Sequence, residues 1–377
     1  MSARPLSREL AEESVGAVNT AGTISDAARN LGIPDSTIRS RLKAAKQLYD
    51  LAPEHPVPPD GFKTAGISTL YNKTTGQPII EWVKLTADAK RQEEIFREVI
   101  DELTANLPRT PPIPPPDHTT ENLMALYPIG DHHLGMLSWH EETGADYDIA
   151  IGEKLLTGAM DHLVGATPAC DEAVVIFLGD YLHYDSWETV TPTNRNPLDA
   201  DGRFPKMVRA GIRTMRYLID AALKHHARVR LIVEIGNHDL ASSIFLVECM
   251  AAVYDDEPRL TVDTAPGHYH YINFGKCLVG THHGHGVKMD KLPLVMATDK
   301  ASEWGKSEYR YWYTGHIHID SVKDYSGCRV ESFRVLCPTD AWAYNKGYRP
   351  AQNMKAIMLH REFGEVARYI VNPSMLL

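Results

Sequence analysis

The sequence is poor in cysteine and contains no long apolar run. It has five cysteines, an odd number with no Cys-Xaa-Xaa-Cys pair, so neither a disulfide framework nor a zinc ribbon is predicted. No apolar stretch approaches the roughly 20 residues of a membrane-spanning helix. Residues 1–10 also lack the apolar segment of a signal peptide. We therefore expect a cytoplasmic protein with reduced thiols and no membrane partner.

The sequence also lacks an excess of positive charge. Its 39 Lys and Arg against 49 Asp and Glu give a formal net charge of −10, which argues against a surface that coats nucleic acid over its whole extent. A local basic patch is compatible with this total, because bound metal ions would add positive charge that the count omits. The length of 377 residues predicts two or three domains with a sizeable core.

Residues 1–50 are predicted to form a small all-α domain. Ser25 and Ser36 are candidate N-caps of two helices, and Gly32 lies between them. The pattern resembles the helix-turn-helix of DNA-binding domains, in which the second helix, here Ser36–Lys46, would lie in the major groove. That helix has basic residues and no acidic one, which suits contact with phosphates. The candidate DNA-binding residues are Arg39, Arg41, Lys43 and Lys46.

This helical domain has a second interpretation, a small bundle used for oligomerisation or docking. The helix-turn-helix interpretation predicts DNA as a partner, and it permits a homodimer because such domains often bind as dimers.

Residues 51–117 are predicted to connect two domains. Alternation over Phe62–Leu85 predicts a β-hairpin, and the apolar spacing over Ala87–Leu107 predicts an amphipathic helix. Pro108–Pro116 predicts a semi-rigid proline-rich spacer. The third domain would then comprise residues 118–377.

Short motifs with metal-ligand side chains each follow an apolar or aromatic run. Such runs, ended by glycine, predict buried strands, and open α/β sheets place their sites just beyond the carboxyl ends of strands. We therefore expect carboxylate, amide and imidazole groups from distant parts of the chain to meet. The motifs are Gly130 to His133, Gly179 to His183, Gly236 to Asp239, His282 to His285 and Gly315 to His318.

The region after residue 118 alternates predicted strands with predicted helices, which favours an α/β sandwich. Strands in a run over 269–279 and 333–370 predict a second, partly antiparallel sheet. The expected fold class is therefore α/β, a four-layer-type sandwich of mixed sheets flanked by helices, preceded by the all-α domain. The predicted helices span 147–164, 206–226, 241–254 and 291–304.

Taken in order, the motifs resemble those of the calcineurin-like metallophosphoesterases over about residues 120–340. The resemblance implies two divalent metal ions. Carboxylate and amide oxygens suit Mn²⁺ or Mg²⁺ and imidazoles suit Mn²⁺, Fe²⁺ or Zn²⁺, so Mn²⁺ is the preferred prediction. The implied ligands are Asp131, His133 and His318 for the first ion, Asn237, His283 and His316 for the second, and Asp180 as the bridge.

The resemblance also implies catalytic roles. Two ions roughly 4 Å apart would support in-line displacement at phosphorus, while His238 faces the phosphate and protonates the leaving oxygen. Asp239 would orient His238, or else support the ligands or cap a helix. Alternation along a strand lets only one of His282 and His283 point at the site. We prefer His283 and expect His282 to lie behind the ligands.

The second motif distinguishes branches of this superfamily. Ser/Thr protein phosphatases have Gly-Asp-Xaa-Xaa-Asp-Arg-Gly, whereas here His183 occupies the fourth position. That histidine resembles the one in the nuclease subunit of double-strand-break repair complexes, which implies that His183 lies beside the phosphate and assists catalysis. Its alternative is a loop residue that bonds to Asp185. The helical domain and a polar insertion over 187–204 depart from those nucleases.

The predicted function is dinuclear-metal-dependent hydrolysis of phosphodiesters, as an exonuclease-like DNA nuclease tethered by its N-terminal domain. The alternative is a phosphatase or small-nucleotide phosphodiesterase whose helical domain serves assembly. A third hypothesis is a DNA-binding regulator whose phosphoesterase fold only senses metal or nucleotide, and the complete ligand set weighs against it.

Overall fold

The computed structural model describes residues 6–49, 51, 62–71, 78–87 and 110–376. The chain divides into two compact units, Met1–Ala105 and Asn106–Leu377. The amphipathic helix predicted to follow Ala87 lies outside the described residues. The predicted domain boundaries after residues 50 and 117 stay predictions.

Three helices lie within residues 6–49. The N-cap hydroxyls are Ser7 and Thr23, which accept from the backbone N–H groups of Leu10 and Asp26; Thr23, rather than the expected Ser25, therefore begins the second helix. The buried side chains that join the helices are mainly alanine, valine and isoleucine. The helices are α1 Arg8–Ala21, α2 Ile24–Leu31 and α3 Asp35–Tyr49.

The predicted hairpin is present in the first unit. Strand β1 is Phe62–Tyr71 and strand β2 is Pro78–Ala87, and they pair antiparallel.

The second unit contains two mixed β-sheets. The six-stranded sheet has the order β13-β12-β3-β4-β5-β6, and the five-stranded sheet has the order β10-β11-β9-β8-β7. Strands β3 to β6 are mutually parallel, as are β8, β9 and β11. The strands are β3 Thr120–Ile129, β4 Cys170–Phe177, β5 Arg228–Val233, β6 Leu260–Val262, β7 His270–Phe274, β8 Cys277–His282, β9 Tyr309–Thr314, β10 Ser321–Tyr325, β11 Cys328–Ser332, β12 Met354–His360 and β13 Gly364–Val371.

Helices cover the outer faces of both sheets. The helices are α4 His140–Thr143, α5 Ile149–Ala166, α6 Phe204–His225, α7 Leu240–Val253, α8 Leu292–Asp299, α9 Ala301–Lys306 and α10 Ala341–Asn345. No helix among the described residues is long and apolar enough to cross a membrane.

The alternation of side chains along the strands explains the layers. In β3, Ala125 and Tyr127 pack into the core that contains α5, α6 and α7, whereas Met124 and Leu126 pack into the core between the sheets. On the other sheet, Trp312 packs with Leu292 and Met296 of α8. Because successive strand residues point to opposite faces, these cores lie on both sides of the strands. The arrangement confirms the four-layer α/β sandwich.

Two predicted elements differ from the structure. The run predicted over 333–370 has no strand before Met354, because prolines and a glycine interrupt it; β12 and β13 then extend the six-stranded sheet beside β3 rather than the second sheet. The predicted helix over 291–304 is divided at Lys300, whose φ of −125° and ψ of 44° are not helical.

Candidate metal centre

The predicted ligands lie at the carboxyl ends of five strands. Three of these strands, β3, β4 and β5, belong to the six-stranded sheet, and β8 and β9 belong to the five-stranded sheet. The loops that follow them meet because both sheets contribute their parallel strands to the same edge of the sandwich. The site is therefore built from both sheets.

The backbone of these loops is strained. A positive φ is uncommon outside glycine, and among the described residues only five non-glycine residues have it, of which four are predicted ligands. Such conformations persist where the surrounding structure enforces them, and they concentrate at functional sites. The residues are His133 (φ 47°), Asp180 (φ 50°), His316 (φ 68°) and His318 (φ 55°), together with Arg195 (φ 54°) of the polar insertion.

The motif glycines allow the loops to approach each other. A Cβ at Gly236 would lie 2.1 Å from both the backbone nitrogen and Oδ1 of Asp180. A Cβ at Gly179, whose φ is 92°, would lie 2.5 Å from Nδ1 of His283. Only glycine fits such close approaches. These glycines therefore do more than end the strands, since each makes room for a ligand from another motif.

Asp131, His133 and His318 form the first group that could hold a cation, with ligand atoms within 4.8 Å of one another. The Nε2 atoms of His133 and His318 are 3.3 Å apart, and Nε2 of His318 is 3.5 Å from Oδ1 of Asp131. The backbone N–H of His316 donates to both oxygens of Asp131 at 2.9 Å, which fixes the carboxylate. Two facing imidazole nitrogens beside a carboxylate fit a shared divalent ion.

Asp180, His283 and His316 form the second group, again within 4.8 Å. Nε2 of His283 lies 3.3 Å from Oδ2 of Asp180 and 3.0 Å from Oδ1 of Asn237. Nδ1 of His283 donates to the backbone oxygen of Leu178 at 2.7 Å, so its Nε2 lone pair is the one that faces the group. Metal-binding histidines are usually held this way.

The pKa values reflect the closeness of these charges. Burial disfavours ionisation of Asp180, but the neighbouring His283 outweighs it, and the pKa of Asp180 lies below its usual range. Burial lowers the pKa of His283, but Asp180 and Asp131 raise it to about 10. Burial and the nearby His238 hold the pKa of His133 well below its usual value. A divalent ion would take the place of the proton on His283, since metal binding releases ligand protons.

The structure distinguishes His283 from His282. Nδ1 of His282 accepts from the N–H of Gly284 at 2.8 Å, and its ring stacks on Tyr269 with the centroids 4.7 Å apart. His282 therefore points away from the group that His283 joins. His132 also points away, with Nε2 3.1 Å from the backbone oxygen of Gly152.

His133, His183 and His238 form a third cluster beside the first group. Nδ1 of His183 is 3.3 Å from Nδ1 of His133, and Nδ1 of His238 donates to the backbone oxygen of His183 at 2.8 Å. Burial and the nearby His238 lower the pKa of His183 to about 3. Asp185 instead accepts from the N–H groups of Ala241 and Ser242 at the start of α7, both at 2.8 Å. The structure therefore places the His183 side chain at the cluster.

The contacts of Asp239 fit support of the ligand loops, rather than capping of a helix or orientation of His238. Its side chain makes no hydrogen bond that caps α7, and what orients His238 is the backbone of His183. Asp239 accepts from the backbone N–H groups of Asp180 and Gly236 at 3.2 Å, and of Leu182 at 3.0 Å. Burial and the nearby Asp180 raise its pKa to about 7. Asp239 thus joins two ligand loops through their backbones.

A buried polar cluster beneath the second group was not predicted from the sequence. Oε1 of Glu234 accepts from Oγ1 of Thr281 at 2.5 Å and lies 2.9 Å from Nδ1 of His270. Glu234 is fully buried and His270 is 4% exposed. The cluster joins the end of β5, before Asn237, to β7 and β8, before His283. The available signal was a glutamate within the apolar run that precedes Gly236.

The candidate DNA-binding residues lie on α3 of the first unit. Arg39, Lys43 and Lys46 are exposed, and their spacing places them on one face of the helix. Arg41 is partly buried and pairs with Glu13 of α1, with 3.4 Å between Nη1 and Oε2. It therefore contributes less to that face than the sequence predicted.

No family model and no curated protein matches the sequence. Solved structures to which the chain is similar include a conserved uncharacterized protein, a predicted phosphoesterase, from Streptococcus pneumoniae, at 11% identity over 66% of this chain and 98% of that chain, with a TM-score of 0.29. A novel archaeal phosphodiesterase is similar at 13% identity over 66% and 99%, with a TM-score of 0.34. Vps29 complexed with Zn²⁺ from Entamoeba histolytica is similar at 13% identity over 66% and 98%, with a TM-score of 0.29.

Proposed function

We propose that the second unit is a dinuclear-metal phosphoesterase of the calcineurin-like class, and that it hydrolyses phosphodiester bonds in DNA. The observation that carries this proposal is the convergence of two ligand groups from both sheets on strained loops. Asp180 belongs to the second group, and its backbone oxygen accepts from the N–H of His133 at 3.0 Å, so it lies where the two groups adjoin. We propose two Mn²⁺ ions, because the site combines oxygen and imidazole ligands and Mn²⁺ suits both.

The surrounding residues suit transfer at a phosphoryl group. Bound ions would supply the Lewis acidity and the water activation that in-line displacement at phosphorus requires. Nδ1 of His238 donates to a carbonyl, which leaves its Nε2 to donate a proton to the departing oxygen when the ring is protonated. The His183 side chain lies in the same cluster, with its Nδ1 3.3 Å from Nδ1 of His133, which supports a role beside the phosphate.

The N-terminal unit supports DNA as the substrate. Its α3 presents Arg39, Lys43 and Lys46 on one exposed face, which suits phosphate contacts. A DNA-binding unit in the same chain would raise the local concentration of substrate at the metal centre. We propose an exonuclease-like enzyme. Its helix-turn-helix, acting as a homodimer, would bring the enzyme to the DNA that it cleaves.

One observation favours the alternative, a phosphatase or small-nucleotide phosphodiesterase. The Arg41–Glu13 pair engages one of the basic residues within the helical unit, as expected if these helices serve assembly rather than DNA binding.

The test is Mn²⁺-dependent cleavage of end-labelled linear and closed-circular DNA by metal-stripped protein, with a nucleoside monophosphate assayed in parallel. His238→Ala removes the proposed proton donor. His162→Ala is the matched control, because His162 is exposed on the surface of α5. We expect cleavage of linear DNA that is lost in His238→Ala and retained in His162→Ala.

The outcomes separate the hypotheses. Cleavage of linear but not circular DNA would support an exonuclease. Hydrolysis of the monophosphate while DNA stays intact would refute the nuclease assignment and support the alternative. Absence of Mn²⁺-dependent hydrolysis of either substrate would refute the phosphoesterase itself.

A further inference from the structure

We propose that an aromatic shelf beside the metal centre stacks against unpaired bases of a DNA strand whose phosphate lies at the metals. The aromatic shelf consists of Trp139, Trp342 and Tyr348, whose exposed fractions are 57%, 63% and 57%. The inference rests on the proposed nuclease function and deepens it by naming single-stranded DNA as the substrate class. Large aromatic side chains exposed together are typical of binding surfaces.

Two rings of the shelf, those of Trp342 and Tyr348, are held in place before any ligand binds. Trp342 lies in α10, and Tyr348 donates its backbone N–H to the carbonyl of Ala343 at 3.0 Å. The Trp342 and Tyr348 rings stack, with centroids 6.2 Å apart and an interplanar angle of 27°. Arg349 lies 3.5 Å from the centroid of Tyr344 and donates to the carbonyls of Tyr344 and Tyr348 at 2.8 Å. Preorganised rings lose little conformational entropy on binding.

One hydrogen bond ties the shelf to a ligand loop, and another joins its two segments. Sγ of Cys337 donates to the backbone oxygen of Asp131 at 3.4 Å, and Oγ of Ser138, beside Trp139, donates to the backbone oxygen of Thr339 at 3.0 Å. The shelf tryptophans follow these points closely in the chain. At about 3.3–3.6 Å per residue, each tryptophan Cα lies within roughly 20 Å of a ligand loop. Stacked nucleotides rise about 3.4 Å each, so this is the reach of a few nucleotides.

Charge and geometry favour a single strand over a duplex. Every base has a face that can stack on an aromatic ring, but a duplex hides these faces except at its end. Lys346 is exposed near Tyr348 and can contact the phosphates of one strand. The shelf therefore fits one strand with its bases unpaired.

The test uses the full chain with Trp139→Ala, Trp342→Ala and the double substitution. Phe363→Ala is the matched control, since Phe363 is 66% exposed in the turn after β12, and β12 pairs antiparallel with β3, so that turn lies at the opposite end of the sheet from the site. Cleavage of an oligothymidylate gives kcat and KM, and bis(p-nitrophenyl) phosphate reports the metal chemistry without bases. Quenching of tryptophan fluorescence by the oligothymidylate, in a His238→Ala background, reports binding without turnover.

We expect each tryptophan substitution to raise KM for the oligothymidylate about tenfold, with kcat and bis(p-nitrophenyl) phosphate turnover unchanged. Substitution by phenylalanine should restore most of the affinity, because the ring is retained. An unchanged KM and unchanged quenching in the double variant would overturn the shelf. An equal loss of affinity for blunt duplex DNA would also overturn it, because base stacking would then not be the cause. Failure of the wild-type chain to hydrolyse bis(p-nitrophenyl) phosphate would instead refute the proposed function. Quenching of tryptophan fluorescence by the oligothymidylate would still show whether the shelf binds single-stranded DNA.

Discussion

Replacement of Glu234 by glutamine should lower the stability of the protein and weaken metal binding at the second ligand group. Oε1 of Glu234 lies 2.9 Å from His270 and 2.5 Å from Thr281. Glutamine keeps an acceptor for Thr281 but loses the charge that faces His270. Because a hydrogen bond to a charged group contributes about 1.5–3 kcal/mol, we expect the free energy of unfolding to fall by about that amount. For a unit of this size, Tm should fall by about 5 °C.

The loss should depend on pH in a defined direction. Burial lowers the pKa of His270, but the Glu234 carboxylate outweighs it, and the pKa of His270 is raised above its usual value. A raised histidine pKa contributes stability that is fully present below the unfolded-state pKa of about 6.5 and is lost as pH rises through the folded-state value. The difference in Tm between wild type and Glu234→Gln should therefore be largest near about pH 6 and shrink as the pH rises.

Thermal melting followed by circular dichroism at several pH values, with calorimetric titration of Mn²⁺, measures both effects. Substitution of a residue that supports metal ligands lowers metal affinity about 10–100-fold. The variant should therefore bind the ion at Asn237 and His283 with an affinity lowered by about that factor. Glu257→Gln is the matched control, because Glu257 is buried and pairs with Arg259 at 3.4 Å before the start of β6, at the other end of the sheet. A fall in Tm that is the same at every pH, or equal loss of Mn²⁺ affinity in both variants, would refute the reasoning.

Three further predictions follow from the contacts of both units. Gly236→Ala should abolish Mn²⁺ binding in calorimetry, since its Cβ would lie 2.1 Å from a neighbouring ligand; retained affinity would show that the loops can separate. Arg39→Ala and Lys43→Ala should each lower DNA affinity and reduce the slope of log affinity against log salt by about 1, whereas Arg41→Ala should change it less because of its pair with Glu13; equal slopes would contradict this. Chelation with EDTA should lower Tm, because a ligand of the folded state stabilises it, and Mn²⁺ should restore it; an unchanged Tm would argue against a bound ion.

The sequence predicted where the site strands end to within a few residues, because a glycine closely follows each buried run. Gly179 lies two residues beyond the end of β4, and Gly236 lies three residues beyond the end of β5. Strand alternation predicted that only one of His282 and His283 points at the site, and the resemblance favoured His283, which lies beside Asp180. Local patterns of this kind can be predicted from the sequence, because burial and backbone geometry constrain the residue type at each position.

Contacts between segments that are distant in the chain could not be predicted from the sequence. The place of β12 and β13 in the six-stranded sheet depends on the pairing of β12 with β3, more than 200 residues earlier, and no local pattern encodes it. The choice among the roles of Asp239 depended on such contacts: its three backbone donors include Asp180 and Leu182, which only the folded chain brings near. The partner of Arg41 likewise comes from another helix.

The two sheets and the candidate metal centre depend on each other. The first cation group combines β3 and β9 loops, and the second combines β4, β5, β8 and β9 loops, so neither sheet holds a complete ligand set. The relative position of the two sheets is set by the apolar core between them. The buried Glu234 cluster also sets it, because it joins the end of β5 to β7 of the other sheet. A one-residue slip of β8 against its neighbours in the sheet would turn His283 away and bring His282 forward, since strand side chains alternate. A substitution between the sheets should therefore weaken metal binding in proportion to how far it shifts β8 relative to β5, even when it lies far from every ligand.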